Sequence, residues 1–115
     1  MKASFTGALA LGLGCLVPGA PADAQTVHAG RNLAAACFTC HGTGGNSTGV
    51  PPGLAGRTSA ELFHTMKDFQ SGKRPATIMH QQARGYSDEQ LQLIANYLAT
   101  LKPEPARVPP KAAHR

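Results

Sequence analysis

The sequence predicts a small all-α domain in which three main helices are joined by two long loops. Two apolar stripes recur at the spacing of one helix face. They are Leu62, Met66 and Phe69 in the middle of the chain, and Leu91, Ile94, Leu98 and Leu101 near its end. No segment alternates apolar and polar residues as a half-buried strand would. A chain of 115 residues has room for one such domain.

Residues 1–24 have the layout of a secretory signal peptide and are not expected to belong to the domain. Lys2 supplies a positive charge, an apolar run covers residues 5–17, and Ala22-Asp23-Ala24 matches the A-x-A cleavage pattern. The apolar run is shorter than the ~20 residues that a membrane-spanning helix needs. An uncleaved anchor and a lipid attached to Cys15 are the alternatives. We expect cleavage at the A-x-A pattern, a periplasmic location and no membrane span in the mature protein.

Capping and breaking residues mark the ends of the three helices. The first helix is predicted over Val27–Cys37. The second begins near Thr58 and the third at Ser87, and each of these hydroxyls stands three residues before a Glu or Gln, the spacing of a capping box. Gly72 is expected to end the second helix and Pro103 to stop the third.

Residues 42–56 and 73–86 are predicted to be irregular, because Gly and Pro interrupt them. Loops of this length are unusual in a compact domain. They are explained if they wrap a flat, apolar cofactor, since so small a domain sits near the lower limit for burying enough surface by itself. We therefore assign residues 25–102 to one domain. Residues 103–115 contain four prolines and are assigned to a flexible basic tail.

The sequence Cys37-Phe38-Thr39-Cys40-His41 is a C-x-x-C-H motif, which is the attachment sequence of a c-type haem. Two thioethers would join the cysteines to the porphyrin, and His41 would bind the iron. A thioredoxin-like site would need a βαβ context, and a structural zinc site would need four ligands. Neither accompanies this motif, whereas a plain disulfide stays open as an alternative. The motif, the export signal and the loop-rich helical pattern together predict one covalently bound haem c.

An electron-transferring haem normally needs a second axial ligand, and the domain offers Met66, Met79 and His80. Met66 belongs to the apolar stripe of the second helix, which favours a position in the core. Met79 lies in the second loop, from which its thioether can reach the iron. His80 could bind instead, but neighbouring residues cannot both face the metal. We predict ligation by His41 and Met79, and a Met ligand raises the reduction potential relative to a second His.

A fixed acceptor for the other ring N–H of His41 would orient the ring and set its basicity. We predict that the backbone carbonyl of Pro52 is this acceptor, because proline holds its own φ. The alternative is that Pro51 and Pro52 only stiffen the loop. Gly30 and Tyr97 are predicted to form a close crossing of the first and last helices, since glycine lets an aromatic ring approach the backbone.

These features together resemble a class I cytochrome c over residues 27–101. The matching segments are Gly30 ahead of CFTCH, then HGTGGNSTG, PPGLAG and MKDFQSGKRPATIMHQQARGYSDEQLQLIANYLATL. Residues 77–87 are similar to the cytochrome subunit of flavocytochrome c sulfide dehydrogenase. The resemblance implies a class I cytochrome c fold around one haem, with Met79 as the distal ligand. Some members of this group carry two haem domains, whereas this chain has one C-x-x-C-H motif.

The resemblance also implies a partner, an FAD-containing sulfide dehydrogenase subunit that passes electrons to the haem, and a soluble or membrane-bound electron acceptor. The alternative is a free shuttle between a respiratory complex and a terminal oxidase or reductase. We expect the chain itself to be a carrier and not an enzyme, because no catalytic acid, base or nucleophile constellation is visible. The net charge of +5 fits an acidic protein surface as partner, and it fits solubility alone equally well; no nucleic acid is expected. Candidates for the charged rim of the interface are Lys67, Lys73, Arg74 and Arg84.

Overall fold

The computed structural model describes residues 22–105, which are mainly helical and contain no strand. The helices are α1 (Ala22–Ala34), α2 (Phe38–His41), α3 (Ser59–Ser71), α4 (Met79–Arg84) and α5 (Asp88–Ala99). Two 3₁₀ turns, Ala35–Cys37 and Thr43–Gly45, flank α2. The predicted all-α class is confirmed. Most of the predicted signal peptide (residues 1–21) and most of the predicted tail (residues 106–115) lie outside the described residues.

The ends of α3 and α5 are set by the capping residues that the sequence predicts. The Thr58 side chain accepts a hydrogen bond from the backbone N–H of Glu61, and Gly72 follows α3 with a φ of 78°. Ser87 and Gln90 form a complete, reciprocal capping box at the start of α5. The box at α3 is only half formed, because the Glu61 carboxylate instead pairs with Arg57 at 2.6 Å.

The prediction that residues 73–86 are irregular throughout is wrong, because they contain the helix α4, Met79–Arg84. Six residues make fewer than two turns, so α4 shows no apolar periodicity that a sequence pattern could reveal. Its Met, Gln, Ala and Arg residues all have good helix propensity. The predicted first helix also differs. The α-helix covers Ala22–Ala34, and the chain then tightens into a 3₁₀ turn as far as Cys37.

Helices α1 and α5 cross at Gly30, as the sequence predicts. A β-carbon on Gly30 would lie 2.5 Å from the carbonyl oxygen of Leu93 and 3.0 Å from Cβ of Tyr97. The distance to the Leu93 oxygen is too short for a real β-carbon and the distance to Tyr97 is very tight, so any larger residue would push the two helices apart. Glycine therefore fixes the distance between the first and last helices of the domain.

A small apolar core lies where α5 meets α1 and α3. Its buried members are Ala34, Leu62, Leu91, Ile94, Ala95 and Leu98. The stripe predicted for α5 supplies Leu91, Ile94 and Leu98, each at most 3% exposed. In the α3 stripe only Leu62 is fully in this core, while Met66 packs at its edge. No helix within residues 22–105 combines the length and apolar character that a bilayer crossing requires.

The segment after α5 is attached to the loop between α2 and α3. Asn46 donates from Nδ2 to the carbonyl of Lys102 at 3.4 Å and accepts from the backbone N–H of Glu104 at 2.7 Å. The backbone N–H of Gly56 donates to the carbonyl of Leu101 at 3.2 Å. Glu104, which the sequence places in the tail, thus helps to hold the loop that contains Pro52.

Candidate haem site

A cavity of about 640 Å³ opens beside the core, between the loop that follows α2 on one side and α3 and α4 on the other. This volume is within the range of about 300–1,000 Å³ that is usual for ligand sites. All five residues predicted to bind the cofactor line it. They are Cys37, Cys40, His41, Pro52 and Met79. The core residues Leu62, Ile94 and Leu98 form part of its apolar wall.

The helical turn of α2 gathers the C-x-x-C-H residues on one face. Residues three and four positions apart are neighbours on a helix, so Cys40 and His41 both lie on the side of Cys37. Cys37 is half-buried, Cys40 is exposed, and the two thiols are not bridged. Burial raises the pKa of the Cys37 thiol above its ordinary value. The arrangement presents two unbridged thiols and one imidazole to the same cavity.

The imidazole of His41 is held in a fixed orientation. Nδ1 of His41 lies 2.7 Å from the carbonyl oxygen of Pro52, and only 8% of the residue is exposed. A carbonyl can only accept, so the contact requires the proton on Nδ1. It leaves Nε2 as the ring nitrogen with a lone pair for a metal ion. The predicted hydrogen bond from His41 to the carbonyl of Pro52 is therefore present.

Met79 and Met66 both line the cavity, whereas His80 does not. Met79 is the first residue of the short helix α4, and not part of a loop as predicted. Met66 lies in the middle of α3 and also packs against the core. Nδ1 of His80 is buried without a hydrogen-bond partner among the described residues. The structure thus places two thioethers at the site, and the choice of Met79 as ligand stays a prediction.

The cavity fits a haem better than a bare metal ion. Within residues 22–105 no three His, Cys, Asp or Glu side chains come together as a metal site. The space is instead wide and largely apolar, with one imidazole and two thiols at one wall. Two arginines, Arg57 and Arg74, also line it and complement the carboxylates of a porphyrin. The donor set and the shape both suit a covalently attached haem.

Three features of the site were not predicted from the sequence. Val50 and Ile78 line the cavity yet are 97% and 53% exposed, so they form an apolar rim at its mouth. An isolated apolar residue in a Gly- and Ser-rich loop, such as Val50, is the signal that could have revealed this rim. Arg57 donates from Nε to the carbonyl of Gly53 at 3.0 Å, which joins the start of α3 to the loop. The third feature is Gln70, which donates hydrogen bonds to the carbonyls of Ala83 and Tyr86 and which nothing in the sequence distinguishes from a surface glutamine.

Comparison with known proteins identifies related chains. Residues 27–102 match the family model described as Cytochrome c. The chain is 39% identical over 72 residues to the cytochrome subunit of sulfide dehydrogenase of Chlorobaculum tepidum, covering 63% of this chain and 66% of that one. It is 37% identical over 84 residues to the thiosulfate dehydrogenase electron acceptor of Thiomonas intermedia, covering 70% of this chain and 39% of that one.

A third relative is a shorter cytochrome. The chain is 33% identical over 76 residues to cytochrome c-554(548) of Halomonas halodenitrificans, covering 63% of this chain and 92% of that one. The chain therefore spans somewhat less than two thirds of the sulfide dehydrogenase subunit and well under half of the thiosulfate dehydrogenase acceptor. The matching region therefore makes up very different fractions of the relatives' chains.

The family match covers the described domain almost from end to end, and it includes the C-x-x-C-H motif and every residue that lines the cavity. The relatives are named as cytochromes or as electron acceptors, so the function common to them is to carry electrons. This chain belongs to the cytochrome c family and is an electron carrier with covalently attached haem c.

Proposed function

We propose that this protein is a periplasmic cytochrome that receives electrons from an FAD-containing sulfide dehydrogenase subunit and passes them to a soluble or membrane-bound acceptor. The observation that carries the proposal is the 39% identity to a cytochrome subunit of sulfide dehydrogenase. A haem, when bound, supplies a centre that gains and loses single electrons. The protein's own task is to hold this centre, set its surroundings and present it to a partner.

Each residue of the site has a defined role in this proposal. Cys37 and Cys40 would hold the porphyrin through thioethers, which would keep the cofactor attached during repeated docking. His41 would bind the iron through Nε2 while the carbonyl of Pro52 orients its ring, and Met79 would supply the second ligand. A His and Met ligand pair favours the reduced iron relative to two histidines and so raises the potential.

The mouth of the cavity supports docking of a partner. Val50 lies on the loop side of the cavity and Ile78 immediately before α4, so apolar side chains stand on both sides of the opening. Interfaces of this kind have an apolar centre and a charged rim. Basic groups near the mouth would increase the rate of encounter with an acidic surface.

The four basic residues predicted for the rim of the interface differ in the partners that they contact within the domain. Lys67 pairs with Asp88 at 2.5 Å, and Lys73 lies 3.5 Å from Asp68. Arg74 lines the cavity and its guanidinium lies 5.2 Å from the centre of the Phe69 ring. Arg84, at the end of α4, is exposed. Arg84 is therefore the better candidate for steering a partner.

The second candidate function is a free shuttle between a respiratory complex and a terminal oxidase or reductase. It is favoured by the similarity to cytochrome c-554(548), whose chain is 92% covered by the matching domain. In this case no flavoprotein would bind, and the same exposed mouth would meet donor and acceptor in turn.

One experiment distinguishes the two functions. The oxidised cytochrome is mixed with a purified FAD-containing sulfide dehydrogenase subunit, sulfide is added, and haem reduction is followed by absorbance. Under the proposal the flavoprotein accelerates haem reduction strongly, and added salt slows it because charges are screened. Equal reduction with and without the flavoprotein, together with no co-purification, would favour the free shuttle. The periplasmic location is tested by amino-terminal sequencing of the exported protein, which should begin at Gln25.

A further inference from the structure

Gln70, in the last turn of α3, joins this helix to the end of α4. Its Nε2 donates hydrogen bonds to the carbonyl oxygens of Ala83 and Tyr86, both at 2.9 Å. Ala83 lies near the end of α4, and Tyr86 immediately precedes the N-cap of α5. One side-chain amide therefore ties α3 to α4 and to the start of α5.

Helix α4 depends on such contacts for its position. Isolated helices shorter than about 12–15 residues are marginal in water, and α4 has six residues. Its N-cap, Ile78, makes no side-chain hydrogen bond to the helix. Its contacts with the rest of the domain include Ala83, which is 0% exposed, and the two hydrogen bonds from Gln70.

Met79 belongs to the short helix that Gln70 attaches to α3. It is the first residue of α4 and stands four positions before Ala83, so the two side chains lie on the same face of one helical turn. Fixing the carbonyl of Ala83 therefore fixes the turn that carries Met79 into the cavity. Gln70 does not line the cavity, so any effect on the site acts through α4.

We propose that Gln70 is a positioning residue that keeps Met79 in place at the haem, and that losing its two donors makes the Met79 ligand easier to displace. The inference rests on the proposed ligation by Met79. Without Gln70 the carbonyls of Ala83 and Tyr86 lose a partner in a partly buried site, which is costly. If α4 moves outward, water can hydrogen-bond these carbonyls, and the same movement takes Met79 away from the cavity.

The test is the displacement of Met79 by imidazole in the oxidised holoprotein. It is followed through the weak near-infrared absorption band of the Met sulfur–iron bond. Gln70→Glu preserves the shape of the side chain but, when ionised, offers only acceptors. Gln70→Met preserves the length and has no donor. Both variants are expected to bind imidazole roughly tenfold more tightly than the wild type, because hydrogen bonds that hold the Met79-bound state are lost.

Gln92 on α5 provides a matched control. Its Nε2 also donates two hydrogen bonds, to Oγ of Ser59 at 3.1 Å and to Oδ1 of Asn96 at 2.8 Å, and Gln92 does not line the cavity. These hydrogen bonds are exposed and do not involve α4, so Gln92→Glu and Gln92→Met should leave the imidazole affinity unchanged. Gln70→Lys restores N–H donors on a flexible stem and should return the affinity towards that of the wild type.

The outcomes separate this inference from the ligand assignment. If Met79→Ala lacks the near-infrared band and the Gln70 variants bind imidazole no more tightly than the Gln92 variants, the role of Gln70 is refuted and Met79 remains the ligand. If Met79→Ala retains the band, the ligand assignment fails and the role of Gln70 fails with it.

Discussion

Met66 and Met79 reach the same cavity from two different helices, and their surroundings separate their roles. Met66 packs against the core from the middle of α3, where neighbours on the same helix hold it. Met79 starts a six-residue helix and contributes to the cavity rather than to the core cluster. A side chain that already packs in a core gives up those contacts to bind a metal, which favours Met79 as the ligand.

Replacement of the two methionines tests this difference. Met79→Ala should abolish the near-infrared band of the oxidised protein and lower its reduction potential, because the thioether ligand is lost. Met66→Leu conserves volume and should preserve both properties, with a stability change below about 1.5 kcal/mol. Spectroscopy and potentiometry on the holoproteins measure the effects. Loss of the band in Met66→Leu, with Met79→Ala unaffected, would reverse the assignment.

The role of a residue can be predicted from the sequence when its chemistry requires a fixed spacing between residues. Cys37, Cys40 and His41 follow from the motif, and the acceptor at Pro52 follows from what an iron-bound imidazole requires. Gln70 could not be found in this way. A glutamine on an amphipathic helix resembles any solvent-facing polar residue until the fold brings two carbonyls to it.

At the scale of elements, helices were predictable where their ends carry local signals. Thr58 and Ser87 cap α3 and α5 through hydrogen bonds made within one turn, so the sequence alone contains both partners. Helix α4 lacks a side-chain cap at Ile78 and is too short to show a stripe. Its formation depends on distant partners on α3, which no local pattern encodes.

The crossing of α1 and α5 yields a prediction for Gly30. Gly30→Ala should destabilise the holoprotein by about 1–3 kcal/mol, because the new methyl group would overlap the carbonyl of Leu93. Denaturant unfolding measures the change. Gly49→Ala is the control, since a β-carbon there meets no atom within 4 Å. If the two substitutions lower the free energy of unfolding equally, the close crossing of α1 and α5 does not account for the effect of Gly30→Ala.

For the whole molecule, the small size of the apolar core explains why the folded state should depend on the bound cofactor. The buried cluster contains six side chains, two of them alanines, and three of its leucine and isoleucine members also line the cavity. With the cavity empty, their outer surfaces would face water or a void, and both lose apolar contacts. The loop after α2, and the segment that leads into α4, are part of the cavity wall and so of the cofactor's enclosure.

Removal of the thioether links tests this dependence. In the wild type the haem should stay with the polypeptide in acidified organic solvent, whereas in the double variant Cys37→Ala/Cys40→Ala it should extract. The double variant, once freed of haem, should lose cooperative unfolding monitored by circular dichroism, because the cavity is unfilled. An extractable haem in the wild type, or an unchanged unfolding transition in the haem-free variant, would contradict the expectation.

The distribution of charge over the whole surface leads to the last prediction. The chain carries a net charge of +5, which alone attracts an acidic partner from any direction. If the partner docks at the cavity mouth, charges close to α4 should affect the association rate more than charges elsewhere. Arg84 on α4 and Arg31 on α1 are both exposed, and α1 contributes no residue to the cavity.

Charge reversal at each arginine lowers the net charge by the same amount, so the two variants differ only in where the charge is reversed. Arg84→Glu should slow the association of the cytochrome with its electron donor and weaken the salt dependence of that rate, because a steering charge at the rim is inverted. Arg31→Glu lowers the net charge equally and should have a smaller effect. Stopped-flow reduction of the haem over a range of salt concentrations provides both rates. Equal effects would show that net charge, and not the cavity mouth, governs the encounter.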